Sequence, residues 1–198
     1  MANLPAHDEK GHSASFCYDV GMKIYVIRHG QTKLNVKNII NGGIDDELTD
    51  EGIEQAKAAA TSLPPSIKHM YVSSLGRAKQ TADILNSNLG LPITHSDDLR
   101  EVDFGELNGT PFLQEHQDRH MALDYDWGPS GEKVADVMSR MLRILRKIKH
   151  DSGDGEALIV GHGGTIRMLY YLENGKPMGK IENASIFTFD LDKILKLS

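Results

Sequence analysis

The chain of 198 residues has one cysteine, Cys17, so it forms no internal disulfide and fits a reducing compartment. No apolar run approaches the ~20 residues that a membrane-spanning helix needs. The first residues lack the apolar core of a secretory signal. Basic residues are outnumbered 22 to 28 by acidic ones, for a formal net charge of -6. Bulk electrostatics therefore favour neither nucleic acid nor an anionic membrane as partner. Internal repeats and low-complexity blocks are also missing. These absences point to a cytoplasmic globular protein, in which any anionic ligand needs locally concentrated positive charge.

What remains is ordinary in bulk. Hydrophobic residues make up 39% and charged residues 25%, usual values for a globular chain. The length suits one domain with a sizeable core. Residues 1–21 are polar and aperiodic. They are expected to be a disordered leader or an appended extension, with Met22 as an alternative start and residues 22–198 as the folded domain.

From Lys23 onward, strand and helix signals alternate. Ile24 to Ile27, Met70 to Ser73, Leu91 to Thr94 and Ala157 to Val160 read as strands, with a last strand near Ser185 to Leu191. Thr49 can cap a helix striped by Ile53, Ala56, Ala60 and Leu63, which Pro64-Pro65 ends. Ala78, Thr81, Ala82, Leu85 and Leu89 mark a second helix, closed by Gly90. Ser130 is expected to cap a long helix striped by Val134, Val137, Met138, Met141, Leu145 and Ile148, and another helix follows from about Thr165. This order predicts an α/β, three-layer sandwich with a largely parallel central sheet flanked by helices. Residues 110–129 carry no strand signal and are expected to form a short inserted cap.

Three polar clusters follow predicted strands: Arg28-His29-Gly30, Ser73-Ser74-Leu75-Gly76-Arg77 and Gly161-His162-Gly163-Gly164. Open α/β sheets bind ligands beyond the carboxyl ends of their strands. The clusters thus converge on one edge, where Arg28, Arg77, His29 and His162 would build a cationic pocket. Main-chain N–H groups opening the helix after Gly164 would also face an anion.

With these clusters, further motifs make the chain resemble the histidine phosphatase superfamily, the phosphoglycerate mutase-like group. They are Gln31-Thr32 with Asn35; Leu48-Thr49 with Gly52 and Gln55-Ala56; Ala78-Lys79-Gln80-Thr81-Ala82; Leu99 to Glu106 with Gly109; and Asn183-Ala184-Ser185. The resemblance runs from about Met22 to the last strand. It implies that His29 attacks phosphorus and forms a phosphohistidine, while Arg28, Arg77 and His162 hold the non-bridging oxygens. Asn35 and Gly163 would join the substrate-binding set. Glu101 would protonate the leaving oxygen and then help activate water, although Asp103 and Glu106 are carboxylates nearby. No metal or organic cofactor is required.

Within the resemblance, the phosphatase branch fits better than the mutase branch. Residues 111–129 are short and hold one arginine, Arg119, among Glu115, Asp118, Asp124 and Asp126. The mutase branch typically carries a longer insertion with an Arg-Arg pair. The expected activity is hydrolysis of a small phosphomonoester. The alternatives are phosphoglycerate mutase-type phosphoryl transfer and a non-catalytic protein that binds a phosphorylated ligand. Oligomeric state is not legible. His116, Arg119, His120, Tyr125 and Trp127 are candidates for the substrate entrance. His116 and His120 have a zinc-compatible spacing but no evident third ligand; a solvated or substrate-facing helix surface is the expected reading. Family members often carry Gln-Gly, and a proline before Leu-Thr, where this chain has Asn41-Gly42 and Glu47. Glu47 is expected to add negative charge near the entrance.

Overall fold

A computed structural model describes residues 21–153 and 155–197. Apart from Gly21, the expected leader lies outside the described residues, as does Asp154 of the Gly153–Gly155 turn. The sheet comprises β1 (Lys23–Arg28), β2 (Ile67–Ser73), β3 (Ile93–Ser96), β4 (Glu156–Gly161) and β5 (Ile186–Asp190), in the spatial order β3-β2-β4-β1-β5. β1 to β4 are parallel, and β5 joins the β1 edge antiparallel.

Alternation along the strands creates two cores. Ile27, Met70, Val72, Leu158 and Val160 face one side, packed by Ala59 and Leu63 and by Ala78, Ala82 and Leu85. These come from α2 (Asp50–Ala60), its exit, and α3 (Gly76–Leu89), after the short α1 (Lys33–Val36). Ile24, Val26, Tyr71, Ala157 and Ile159 face the other side, against Met141, Ile144, Leu145, Ile148, Ile166, Leu169 and Ile194. Those residues lie on α5 (Val134–Ser152), α6 (Gly163–Asn174) and α7 (Leu191–Leu197). The three-layer α/β sandwich is therefore present, with α4 (Gln114–Ala122) forming the helical part of the inserted segment.

Several element ends differ from the sequence reading. Ser130 does not cap α5. The preceding turn is tied by Gly131 N–H to the Gly128 carbonyl and Glu132 N–H to the Asp103 carbonyl, so the helix opens only after Lys133, whose N–H donates to Asp136. β3 starts two residues late because Asn86 holds the Leu91 N–H, completing the exit of α3 through left-handed Gly90. α6 opens at Gly163 rather than Thr165. Leu191 leaves the last strand and starts α7, donating its N–H to the Met22 carbonyl.

Candidate active site

β1, β2 and β4 end side by side, and their exits bring the separated motifs together. The His29 N–H donates to the Gly161 carbonyl at 2.9 Å. The Ala184 N–H and Asn183 Nδ2 donate to the His29 carbonyl at 3.3 and 3.1 Å, so the Asn183-Ala184-Ser185 motif fixes the strand end. The Gly30 N–H donates to Thr81 Oγ1 on α3. The Gln31 N–H meets Gln55 on α2, and the Gln31 carbonyl accepts from the Thr49 N–H. Gly30 and Gly52 pass so closely that a Cβ on Gly30 would overlap the Gly52 carbonyl oxygen.

His29 is 2% exposed. The Nε–H of Arg77 donates to His29 Nε2 at 3.2 Å. Since guanidinium only donates, Nε2 is the lone-pair nitrogen, and Nδ1–H donates to the Gly30 carbonyl at 2.7 Å. Burial, reinforced by the Arg77 and Arg28 charges, holds the ring's pKa well below its usual value. His29 therefore stays neutral at neutral pH. His162 is fully buried, with its ring centroid 5.2 Å from that of His29 and its Nε2 2.7 Å from Ser73 Oγ. Burial and then Arg77 lower its pKa strongly as well.

Arg77 is fixed at both ends of its guanidinium by the 41–44 loop. Nη1 donates to the Ile44 carbonyl at 2.7 Å and Nη2 to the Gly42 carbonyl at 2.8 Å. With Nε on His29, two of its five N–H donors remain for a ligand. Arg28 reaches the Ile181 carbonyl through Nη1, while its Nε has no partner among the described residues. Burial pulls both arginines down to about 10, opposed by Glu101. Both remain charged at neutral pH.

Glu101 arrives on the loop after β3. Its Oε1 accepts from the Val102 N–H at 2.9 Å and from the Gly164 N–H at 3.0 Å, which turns the carboxylate toward the start of α6. A Cβ on Gly164 would overlap that oxygen. Arg140 of α5 holds the loop from behind. It donates to the Asp98, Arg100 and Glu101 carbonyls and pairs with Glu132 at 2.6 Å.

A cavity of about 380 Å³ opens beside these strand exits. Of the expected site residues, Arg28, His29, Asn35, Arg77, Glu101 and Gly163 face it, and buried His162 lies against His29 at its base. Asn35 uses Oδ1 to accept from the Thr32 N–H and Asn183 Nδ2, which leaves its amide nitrogen as a donor. Asp103 and Glu106 are not among the lining residues. Asn41 lines the cavity and donates to Thr32 Oγ1. Sequence reasoning missed Arg167, Lys180 and Asn183 as lining residues, together with Phe104 and Phe112.

Of the entrance candidates, His120 lines the cavity; it is 4% exposed and packs among Phe104, Phe112, Tyr125 and Trp127, so it faces the cavity rather than solvent. Tyr125 and Trp127 are buried in that aromatic cluster rather than set at an entrance. Arg119 lies over Trp127 and pairs with Asp124 and Asp126, outside the cavity lining, and His116 is also outside it. Glu47 pairs with Lys33 and does not line the cavity. Among the described residues, no group of three or more His, Cys, Asp or Glu side chains is arranged to hold a metal. No described helix is long and apolar enough to cross a membrane.

A cationic cavity with two apposed histidines at the strand ends of an α/β sandwich defines a phosphate-handling class of site. The sequence matches the histidine phosphatase superfamily (branch 1) over residues 24–194, and the chain belongs to that family of enzymes. It is 33% identical over 184 residues to phosphoglycerate mutase-like protein 4 of Arabidopsis thaliana, covering 85% of this chain and 79% of that protein. It is 32% identical over 156 residues to the uncharacterized phosphatase PhoE of Bacillus subtilis, covering 78% and 79%. Among solved structures, a mycobacterial glucosyl-3-phosphoglycerate phosphatase matches with a TM-score of 0.71 at 26% identity, covering 85% of this chain and 89% of that one.

Proposed function

We propose that the protein hydrolyses a small phosphomonoester through a phosphohistidine on His29. The observation that carries this reading is the state of that ring. It is buried, neutral and oriented by its Nδ1–H, with Nε2 as the lone-pair nitrogen. On substrate entry, the weak Arg77–His29 hydrogen bond gives way and the guanidinium turns its donors to the phosphoryl oxygens. Nε2 attacks phosphorus, the ester P–O bond breaks, and Glu101 gives its proton to the leaving oxygen. The Gly30 carbonyl stabilises the positive charge that develops on the ring. Arg28, Arg77, His162, Asn35 and the Gly163 end of α6 hold the equatorial oxygens. Water then attacks phosphorus, Glu101 takes its proton, and the P–N bond breaks to release orthophosphate.

The cavity volume suits a small molecule. Hydrolysis is favoured over isomerisation because the cap's one arginine, Arg119, is engaged by Asp124 and Asp126 outside the cavity. The single cysteine supports a reducing, cytoplasmic setting. The test is phosphate release from an aryl phosphate, with trapping of acid-labile phosphoenzyme. Release with label on the wild type and none on His29→Ala is expected. Label on His29→Ala would remove His29 as nucleophile. Primer-dependent phosphoglycerate isomerisation would favour the mutase. Phosphate binding without release would make the protein a binding module.

A further inference from the structure

Ser73 ends β2 and heads the second polar cluster, yet it has no part in the chemistry proposed above. It is fully buried. Strand alternation sets it on the same face as Tyr71, the face that packs against α5 and α6. His162 is the N-cap of α6. The Oγ of Ser73 lies 2.7 Å from His162 Nε2 and accepts from the Leu75 N–H at 3.3 Å. His162 Nδ1 is buried and has no partner among the described residues. Nδ1 is therefore the ring nitrogen left for a ligand, beside a cavity that its neighbours His29 and Gly163 line.

The protons decide which nitrogen carries hydrogen. A hydroxyl has one proton to give and two lone pairs. Leu75 takes one lone pair of Ser73. If Nε2–H donated to the other, the Ser73 proton would have no acceptor among the described residues, and Nδ1 would be a buried, unmet lone pair. If Ser73 donates to Nε2 instead, the hydroxyl is satisfied and Nδ1–H remains as one unused donor. An anionic ligand satisfies a donor and repels a lone pair. Neutrality makes this choice matter. Burial and the Arg77 charge hold the ring's pKa well below its usual value, so it carries one N–H rather than two.

We propose that Ser73 is a positioning residue that holds the His162 proton on Nδ1, so that a neutral imidazole donates to a phosphoryl oxygen. The two histidines are thus set in the same tautomer from opposite ends. The Gly30 carbonyl accepts from Nδ1–H of His29 and leaves Nε2 free to attack, whereas Ser73 donates to Nε2 of His162 and leaves Nδ1–H free to donate. The tautomer stands on the hydrogen-bond geometry; its use in turnover rests on the phosphatase reading above.

The test begins with the wild type. Nitrogen-resolved NMR, with His162 identified by the signals lost in His162→Ala, should show a lone pair on Nε2 and a proton on Nδ1. A proton on Nε2, or on both nitrogens, at neutral pH would overturn the proposal. The second arm is a double-mutant cycle on an aryl phosphate. Ser73→Ala should lower kcat/KM by about tenfold to hundredfold, since one aligned donor contributes roughly 10²- to 10³-fold, and it should weaken binding of inorganic phosphate. In a His162→Ala background the same change should cost less than about twofold. Losses that multiply across the two backgrounds would overturn the proposal, since a purely structural Ser73 predicts that. Unchanged kcat/KM in Ser73→Ala would overturn it too. If the wild type hydrolyses no ester, the phosphatase reading fails, while an Nδ1–H tautomer with Ser73-dependent affinity for inorganic phosphate would sustain the Ser73 assignment. Turnover by a wild type whose His162 is protonated on Nε2 would sink that assignment alone.

Discussion

Arg77 touches His29 rather than merely standing near it: its Nε–H meets Nε2 of the ring at 3.2 Å while its two terminal nitrogens are tied to main-chain carbonyls. One side chain thereby selects the histidine tautomer, lowers its basicity and keeps two N–H donors for a ligand.

Arg77→Lys keeps the positive charge but loses the planar fork. Because such aligned donors contribute roughly 10²- to 10³-fold to turnover, kcat on an aryl phosphate should fall by about that factor. Nitrogen-resolved NMR of the histidines should show His29 losing its preference for the Nδ1–H tautomer. An unchanged tautomer with unchanged kcat would contradict the assignment.

Gly164→Ala places a methyl group where Glu101 Oε1 now sits. The carboxylate must move, so proton delivery to the leaving oxygen should suffer. An alkyl phosphate needs that proton more than a nitrophenyl phosphate does. The alkyl substrate should therefore lose at least tenfold more kcat than the aryl one, as should Glu101→Gln. Equal losses would point to general damage instead.

Arg140 and Glu132 are 11% and 17% exposed along their side chains and pair at 2.6 Å. Arg140→Met strands Glu132 and should cost about 3–5 kcal/mol in urea unfolding. Adding Glu132→Leu should restore most of the stability. It should not restore kcat, because the carbonyls of the Glu101 loop still lack their donor.

Burial holds the pKa values of His29, His120 and His162 well below the ordinary 6.5. In the unfolded chain these rings take up protons near 6.5, whereas in the folded protein they stay neutral. Stability is therefore full above about pH 6.5 and declines as the pH falls, by up to ~1.4 kcal/mol per pH unit for each ring. Urea midpoints at pH 7.5 and 5.5 should show the loss. His120→Phe should reduce it by about one ring's share; an identical slope would mean that His120 titrates normally.

The inner strands were legible because short apolar runs are followed at once by the histidine and arginine clusters that give them meaning. Their exits needed no tertiary knowledge to be read as one site. Arg167 and Arg140 were not legible. Each sits on an amphipathic helix, where arginine ordinarily faces solvent, and only packing shows them turned inward. The signals were faint: Arg167 lies four residues after Gly163, and Arg140 borders Met141 on the buried stripe of α5. Tyr125 and Trp127 were misread because an acidic, irregular segment looks open, while its aromatic residues close over Phe104. α7 was hidden because Leu191 extends the alternation of Phe187 and Phe189.

β1 ends at Arg28, just before His29, and lies between β4 and β5, which follow it in the chain only after β2, β3 and the inserted cap. During translation, Arg28 and His29 leave the ribosome well before either strand partner of β1. Until then the nascent chain holds a bare apolar strand with two open edges, which is the kind of segment that chaperones shield. The strand end at His29 thus takes its final form only once β4 and β5 have joined, so the shape of the cavity reports completion of the whole sheet.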